Sequence, residues 1–262
     1  MDIIVCIKQV PDTTNIKIDQ KKGTLIREGV PSIMNPDDKH ALEAALSLKG
    51  DGKITVLSMG PPQAEDALRE ALAMGADESI LLCDIKFAGS DTWATANAIA
   101  AAIKKIGKYD LILCGRQAID GDTAQVGPQM AEQLNLPQVT YVRKIGAKGN
   151  KLVIERVLED GYEIVEANLP ALLTCVKEIN APRYPSLLGI QKAYREKEVK
   201  TWTAADINID GSRTGLKSSP TSVFKSFTPQ PKGSGVILEG PISDVSKKII
   251  GILKEKEIIQ EF

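Results

Sequence analysis

At 262 residues, 43% of them hydrophobic, the chain is long enough to bury a substantial core, and one large domain with an appendage is expected. A formal net charge of -1 removes the basic field that nucleic acid binding requires, and 4% aromatic residues are too few to stack successive bases. The four cysteines form no C-x-x-C pair, the opening Met1-Asp2-Ile3 lacks a secretory signal's positive charge, and no apolar run reaches membrane-spanning length, so a soluble cytoplasmic protein without membrane insertion is expected.

Ile3 to Ile7 reads as a short buried strand that Pro11 closes. A small hairpin follows from about Asn15 to Arg27. Asn35-Pro36-Asp37-Asp38 has a capping Asn, a proline at the first helical position and acids in the opening turn, ahead of helical spacing from Ala41 to Leu48. That helix end is either a second anion or ribose contact or an ordinary capped surface helix. Lys53 to Leu57 is the next strand, Gln63 to Met74 a helix stopped by Gly75, and Ile80 to Cys83 a third strand. Ser90-Asp91-Thr92-Trp93 opens an Ala-rich helix ending near Gly107, and Leu111 to Cys114 is a fourth strand. Strands alternating with helices to about residue 135 imply βαβ units, hence a doubly wound parallel sheet.

The fourth strand stops at Gly115, and the loop to Val126 sits at its carboxyl end, where open α/β sheets bind ligands. Val126, Met130 and Leu134 are spaced as a helix, and Asp122 with Gln125 has the shape of a capping box. The free N–H groups of that helix start, with Arg116 beside them, make an anion site. A plain strand-turn-helix with a capping Asp fits the same spacing. Pro128 bends the helix if it opens at Asp122 and sits at a favoured position if it opens near Gly127.

Past Leu136-Pro137 the pattern turns antiparallel over about 139–168, and Leu172 to Val176 is apolar enough to rejoin the main sheet. Two prolines flank Arg183-Tyr184 before Leu187, Leu188 and Ile190, in loop or short helix. Those apolar residues either form a docking surface or tuck under the domain. Lys192 to Glu198 is a charge run of the kind that faces solvent. From Gly211 to Gly235, 16 of 25 residues are Gly, Ser, Thr or Pro, so a linker or extended arm is expected, spanning rather than packing. Val245, Ile249, Ile252 and Leu253 then share one face of a final helix, suited to a partner subunit or to folding back.

There is no G-x-G-x-x-G after a strand, no P-loop, no G-x-S-x-G, and a lone His40 with scattered cysteines makes no metal set. No catalytic side chains and no metal are therefore expected, and the pattern is that of a protein whose cofactor carries the chemistry. The chain resembles the β subunit of electron transfer flavoprotein over essentially its whole length. The residues that carry the resemblance are Val5-Cys6-Ile7-Lys8-Gln9-Val10, Met34-Asn35-Pro36, Ala71 to Asp77, Gly115 to Asp120, Glu155-Arg156, Asp160-Gly161, Leu169-Pro170-Ala171 and Glu178 to Tyr184.

The resemblance implies a Rossmann-like α/β domain over 1–210 and a C-terminal arm over 211–262 that packs on an α subunit carrying FAD. It implies an adenine nucleotide against Cys6, Asn35, Asp38, Met59, Gly115, Arg116, Gln117, Asp120, Gly121, Asp122, Thr123, Ala124, Gln125 and Val126. Within 182–198, Leu187 and Lys192 would dock an acyl-CoA or similar flavin dehydrogenase. In ordinary members the nucleotide is a structural AMP. The small residues from Gly121 to Val126, with Glu159 to Glu163 downstream, look more like electron-bifurcating members, which hold FAD there and pass electrons from NADH to ferredoxin or flavodoxin. Because carboxylates repel phosphates, Asp120 and Asp122 are expected to face ribose hydroxyls or cap backbone N–H groups, leaving the diphosphate to Arg116 and the amides of Thr123 to Val126. An ATP-using adenylating enzyme is the remaining alternative. It would need Ser-Gly-Gly where Lys8 to Asp12 stands.

Overall fold

The computed structural model describes residues 1–12, 18–19, 24–25, 31–225, 233 and 235–259. Strands whose residues are aliphatic on both faces must be covered on both, and the main sheet is built that way. Its nine strands are β1 (Ile3–Cys6), β2 (Ile54–Met59), β3 (Glu78–Leu82), β4 (Leu111–Gly115), β5 (Gln138–Lys148), β6 (Lys151–Leu158), β7 (Gly161–Asn168), β8 (Ala171–Cys175) and β9 (Val199–Trp202). They lie in the order β7-β6-β5-β8-β4-β1-β2-β3-β9. From β5 to β9 every neighbouring pair is parallel, and β5, β6 and β7 form the expected antiparallel extension.

Ile3 and Val5 point to one face, where α1 (Pro36–Leu48), α2 (Glu65–Met74) and Ala193 of α5 (Leu187–Arg195) pack. Ile4 and Cys6 point to the other, under α3 (Thr92–Ile106) and α4 (Val126–Leu134). Leu111, Ile112 and Leu113 are fully buried between the two layers, each contributing roughly 1.5–3 kcal/mol of apolar burial. The chain runs from β1 through β2 to β3 on one side, then returns to place β4 on the other side of β1. This reversal is the topological switch point, and it leaves a crevice at the carboxyl ends of β1 and β4.

The proposed hairpin survives as an antiparallel pair, Ile18–Asp19 with Thr24–Leu25, and its other residues lie outside the described ones. β9 has no counterpart among the expected strands, because an edge strand of four residues with Lys200 and Thr201 exposed has little apolar signal. The start of the expected linker packs rather than spans. Arg213 bonds Asn97 and Gln133, Gly215 bonds Ser90, and Thr221 bonds the Asp91 carboxylate, so hydrogen bonds hold this Ser- and Gly-rich segment where apolar burial cannot.

The chain divides into two units, Met1–Phe224 and Lys225–Phe262. The second contains α6 (Ile242–Glu255), whose Ile242, Ile249 and Ile250 are exposed among the described residues. No described helix is long and apolar enough to cross a membrane.

Candidate functional site

Two polar side chains from the start of α1 are buried in the crevice, where a polar group is tolerated only if it is hydrogen-bonded. Both are. Asn35 donates from Nδ2 to the Gln117 carbonyl at 2.9 Å and accepts the Ile119 N–H on Oδ1 at 3.1 Å. It makes no side-chain cap on its own helix, contrary to the capping role expected of it, because the loop after β4 takes both ends of its amide. Asp38 accepts the Lys8 N–H at 2.8 Å and the Gly115 N–H at 2.9 Å, one on each oxygen. It thereby ties the carboxyl ends of β1 and β4 together from beneath.

Burial pushes the Asp38 carboxyl up to about 7, against the pull of these N–H groups. The same approach explains Gly115, where a Cβ would stand 2.4 Å from Asp38 Oδ1 and 2.7 Å from Asp37 Cβ. Cys6 and Cys114 face each other across β1 and β4, and Cys175 ends β8 beside them. Burial lifts the Cys6 thiol to about 12 and raises Cys114 and Cys175 as well, so none is a thiolate nucleophile at neutral pH.

The loop above this floor has an irregular backbone. Asp122 and Ala124 both have left-handed backbones, φ 49° and 53°, a strained state for Ala that functional loops favour. Helix α4 opens at Val126 with Gln125 as its cap residue, so the expected capping box does not form. Asp122 accepts instead from Gln117 Nε2 at 2.8 Å, and Gln125 accepts from Thr92 Oγ1 at 2.9 Å. Pro128 falls third in α4, where its missing N–H breaks no helical bond. Among the described residues, the N–H groups of Thr123, Ala124, Gln125, Val126 and Gly127 have no acceptor.

The charges are arranged to suit an anion. Lys8 Nζ lies 2.7 Å from both oxygens of Asp120 and offsets its charge. Arg116 sits 3.7 Å from Asp37 Oδ2, too far for a hydrogen bond, and its guanidinium lies 5.7 Å from the Tyr141 ring centroid. Its Nε is buried without a hydrogen-bond partner. Burial raises the Asp37 carboxyl while Arg116 opposes that shift. Tyr141 itself has φ 58° at the bulge where β5 slips against β8.

Of the residues singled out from sequence, Cys6, Asn35, Asp38 and Gly115 to Val126 come together at this crevice. Met59 ends the adjacent β2, beside a small cavity of about 60 Å³ that Lys8 and Gln9 also line. Leu187 and Lys192 lie apart on α5. Sequence reasoning missed Lys8 and Tyr141. A lysine immediately after a central strand was a usable signal for the first, whereas Tyr141 reaches Arg116 only through sheet pairing. A cavity of about 370 Å³ opens at the opposite end of the sheet, between Lys53, Lys105 and Trp202. No group of three potential metal ligands occurs among the described residues.

Residues 22–207 match the family model described as the electron transfer flavoprotein domain. The chain is 58% identical over 261 residues to an electron transfer flavoprotein subunit beta from Thermoanaerobacterium thermosaccharolyticum, covering 99% of this chain and 100% of that one. It is 55% identical over 263 residues, with 99% and 100% covered, to caffeyl-CoA reductase-Etf complex subunit CarD from Acetobacterium woodii. It is 46% identical over 267 residues, with the same coverage, to acryloyl-CoA reductase electron transfer subunit gamma from Anaerotignum propionicum.

Proposed function

The chain belongs to the electron transfer flavoprotein family as a β subunit, and on that premise we propose that it binds FAD at the loop between β4 and α4. The observation that carries this reading is the run of five main-chain N–H groups without acceptors among the described residues, beside the Arg116 guanidinium. Main-chain N–H groups without acceptors beside a positive group are the donor set a diphosphate accepts from, so the residues fit such a nucleotide. Arg116 and the amides of Thr123 to Val126 bind the diphosphate. Asp120 is neutralised by Lys8 and Asp122 is held by Gln117, so both stand beside the phosphates at reduced electrostatic cost. Asn35 and Asp38 keep the loop in register with β1.

The isoalloxazine supplies the one- and two-electron chemistry that no side chain here provides. In this reading the β subunit pairs with an α subunit carrying its own FAD, and electrons pass from NADH to ferredoxin or flavodoxin and, through the α-subunit FAD, to an acyl-CoA or similar flavin dehydrogenase. Relatives named as reductase-complex subunits support a dehydrogenase-type partner. The exposed apolar residues around Leu187, with Lys192, would dock it. The test is the absorption spectrum of the purified heterodimer with chromatography of its released nucleotides. Two flavins per heterodimer, one reduced by NADH, are expected. One flavin with AMP would overturn the FAD assignment and leave the subunit a structural role.

A further inference from the structure

Helix α5 carries a cluster of apolar groups in water, with Tyr184 before it: Leu187 is 88% exposed, Leu188 69% and Tyr194 61%. Nine residues are too few to hold a helix by propensity alone, so its shape must come from what fastens it. At its start, Ser186 Oγ accepts the Gly189 N–H at 3.0 Å. Gly189 itself lies so close to α2 that a Cβ would stand 2.2 Å from the Ala73 carbonyl oxygen.

At its end one side chain from α2 takes a carbonyl of the last turn and a second carbonyl two residues beyond the helix. Arg69 Nη1 donates to the Ala193 carbonyl at 2.5 Å and to the Lys197 carbonyl at 2.7 Å. Its Nε and Nη2 both rest on Glu65 Oε1, at 3.0 and 2.8 Å, which fixes the plane of the guanidinium. The same group lies 5.6 Å from the Tyr194 ring centroid, and Lys197 Nζ donates to the Ala76 carbonyl. A cation bonded to a carbonyl of a helix's last turn satisfies that acceptor and complements the helix dipole.

We propose that Arg69 is a positioning residue for partner docking, holding the last turns of α5 so that Leu187, Leu188 and Tyr194 form one preformed apolar ridge. This inference rests on the reading of α5 as the docking element. Lys192 and Arg195 lie in the last turn, so the ridge fits a partner surface with an apolar pocket rimmed by carboxylates. Arg69 is largely covered, its side chain 17% exposed, and it acts through α5.

The test uses the heterodimer and an acyl-CoA dehydrogenase toward which the unaltered protein shows saturable electron transfer, with butyryl-CoA as donor and flavin bleaching as readout. In Arg69→Ala the half-saturating dehydrogenase concentration is expected to rise about five- to tenfold, the factor by which the competent α5 population falls, with saturating rate and nucleotide content unchanged. Arg69→Lys, which keeps the charge but not the fork, is expected to show a smaller rise, and it carries the test if the alanine variant does not assemble. Leu187→Glu, at an exposed position, reads the docking element itself. If it raises half-saturation while the Arg69 variants change only the melting temperature, the positioning role is overturned. If Leu187→Glu also leaves half-saturation unmoved, the docking reading falls with it.

Discussion

Asp38→Asn interrogates the charge beneath the nucleotide loop. Burial raises this carboxyl from the ordinary 3.8 to about 7. Between those values the native chain holds a proton that the unfolded chain has already released, so the wild type loses stability as pH rises through this window and is level outside it. A gap of about three pH units sets an upper bound of about 4 kcal/mol. Asparagine has the same shape and no titration. Its amide still accepts one of the two N–H groups from Lys8 and Gly115, and losing the second acceptor shifts the curve without changing its slope. Urea unfolding followed by circular dichroism from pH 4.5 to 8.5, on both proteins, cancels the carboxylates they share. The stability of the variant relative to wild type should climb across the window and flatten above pH 7. A difference independent of pH would refute a buried, proton-holding Asp38.

Arg116→Ala should weaken nucleotide retention by about 1.5–3 kcal/mol, the range of a hydrogen bond to a charged group, and nucleotide content after gel filtration reads it; full retention would remove Arg116 from the site. Gly127→Ala should destabilise the fold by roughly 1–3 kcal/mol, because its Cβ would stand 2.6 Å from Thr174 Cγ2 and 3.1 Å from Cys114 Sγ; an unchanged melting temperature would show that α4 can move off the sheet. Glu43→Gln should cost about 1 kcal/mol at pH 7, reduced by the exposure of Arg183, which binds both Glu43 oxygens at 2.7 and 2.8 Å. Arg183 holds the Glu43 carboxyl below its usual range, so this stability is present above the unfolded value of 4.5 and is lost as pH falls through the folded one. Thermal melts of both proteins should therefore converge in acid.

Elements with strong local signals were legible from the chain. Asp91 caps α3 by accepting the Ala94 N–H, as Ser-Asp-Thr-Trp before an Ala-rich run implies, and Leu111 to Gly115 is the buried strand its aliphatic run announces. The capping box at Asp122 and Gln125 was misread. Both residues found partners outside the expected helix, Gln117 and Thr92, and no local pattern weighs those against a cap. The same competition took Asn35 from its helix and gave it to the loop.

Periodicity and turn chemistry along the chain determined strands β1 to β4, helices α1 to α4, and that the loop after the fourth strand lies at a sheet's carboxyl edge, because these follow from side-chain spacing within a few residues. Only tertiary structure decided that Asp38 buries its carboxyl between Lys8 and Gly115, that Lys8 offsets Asp120, and that Arg69 holds the end of α5. Each of those contacts joins segments far apart in sequence, and its strength depends on burial, which only the assembled sheet and helices create.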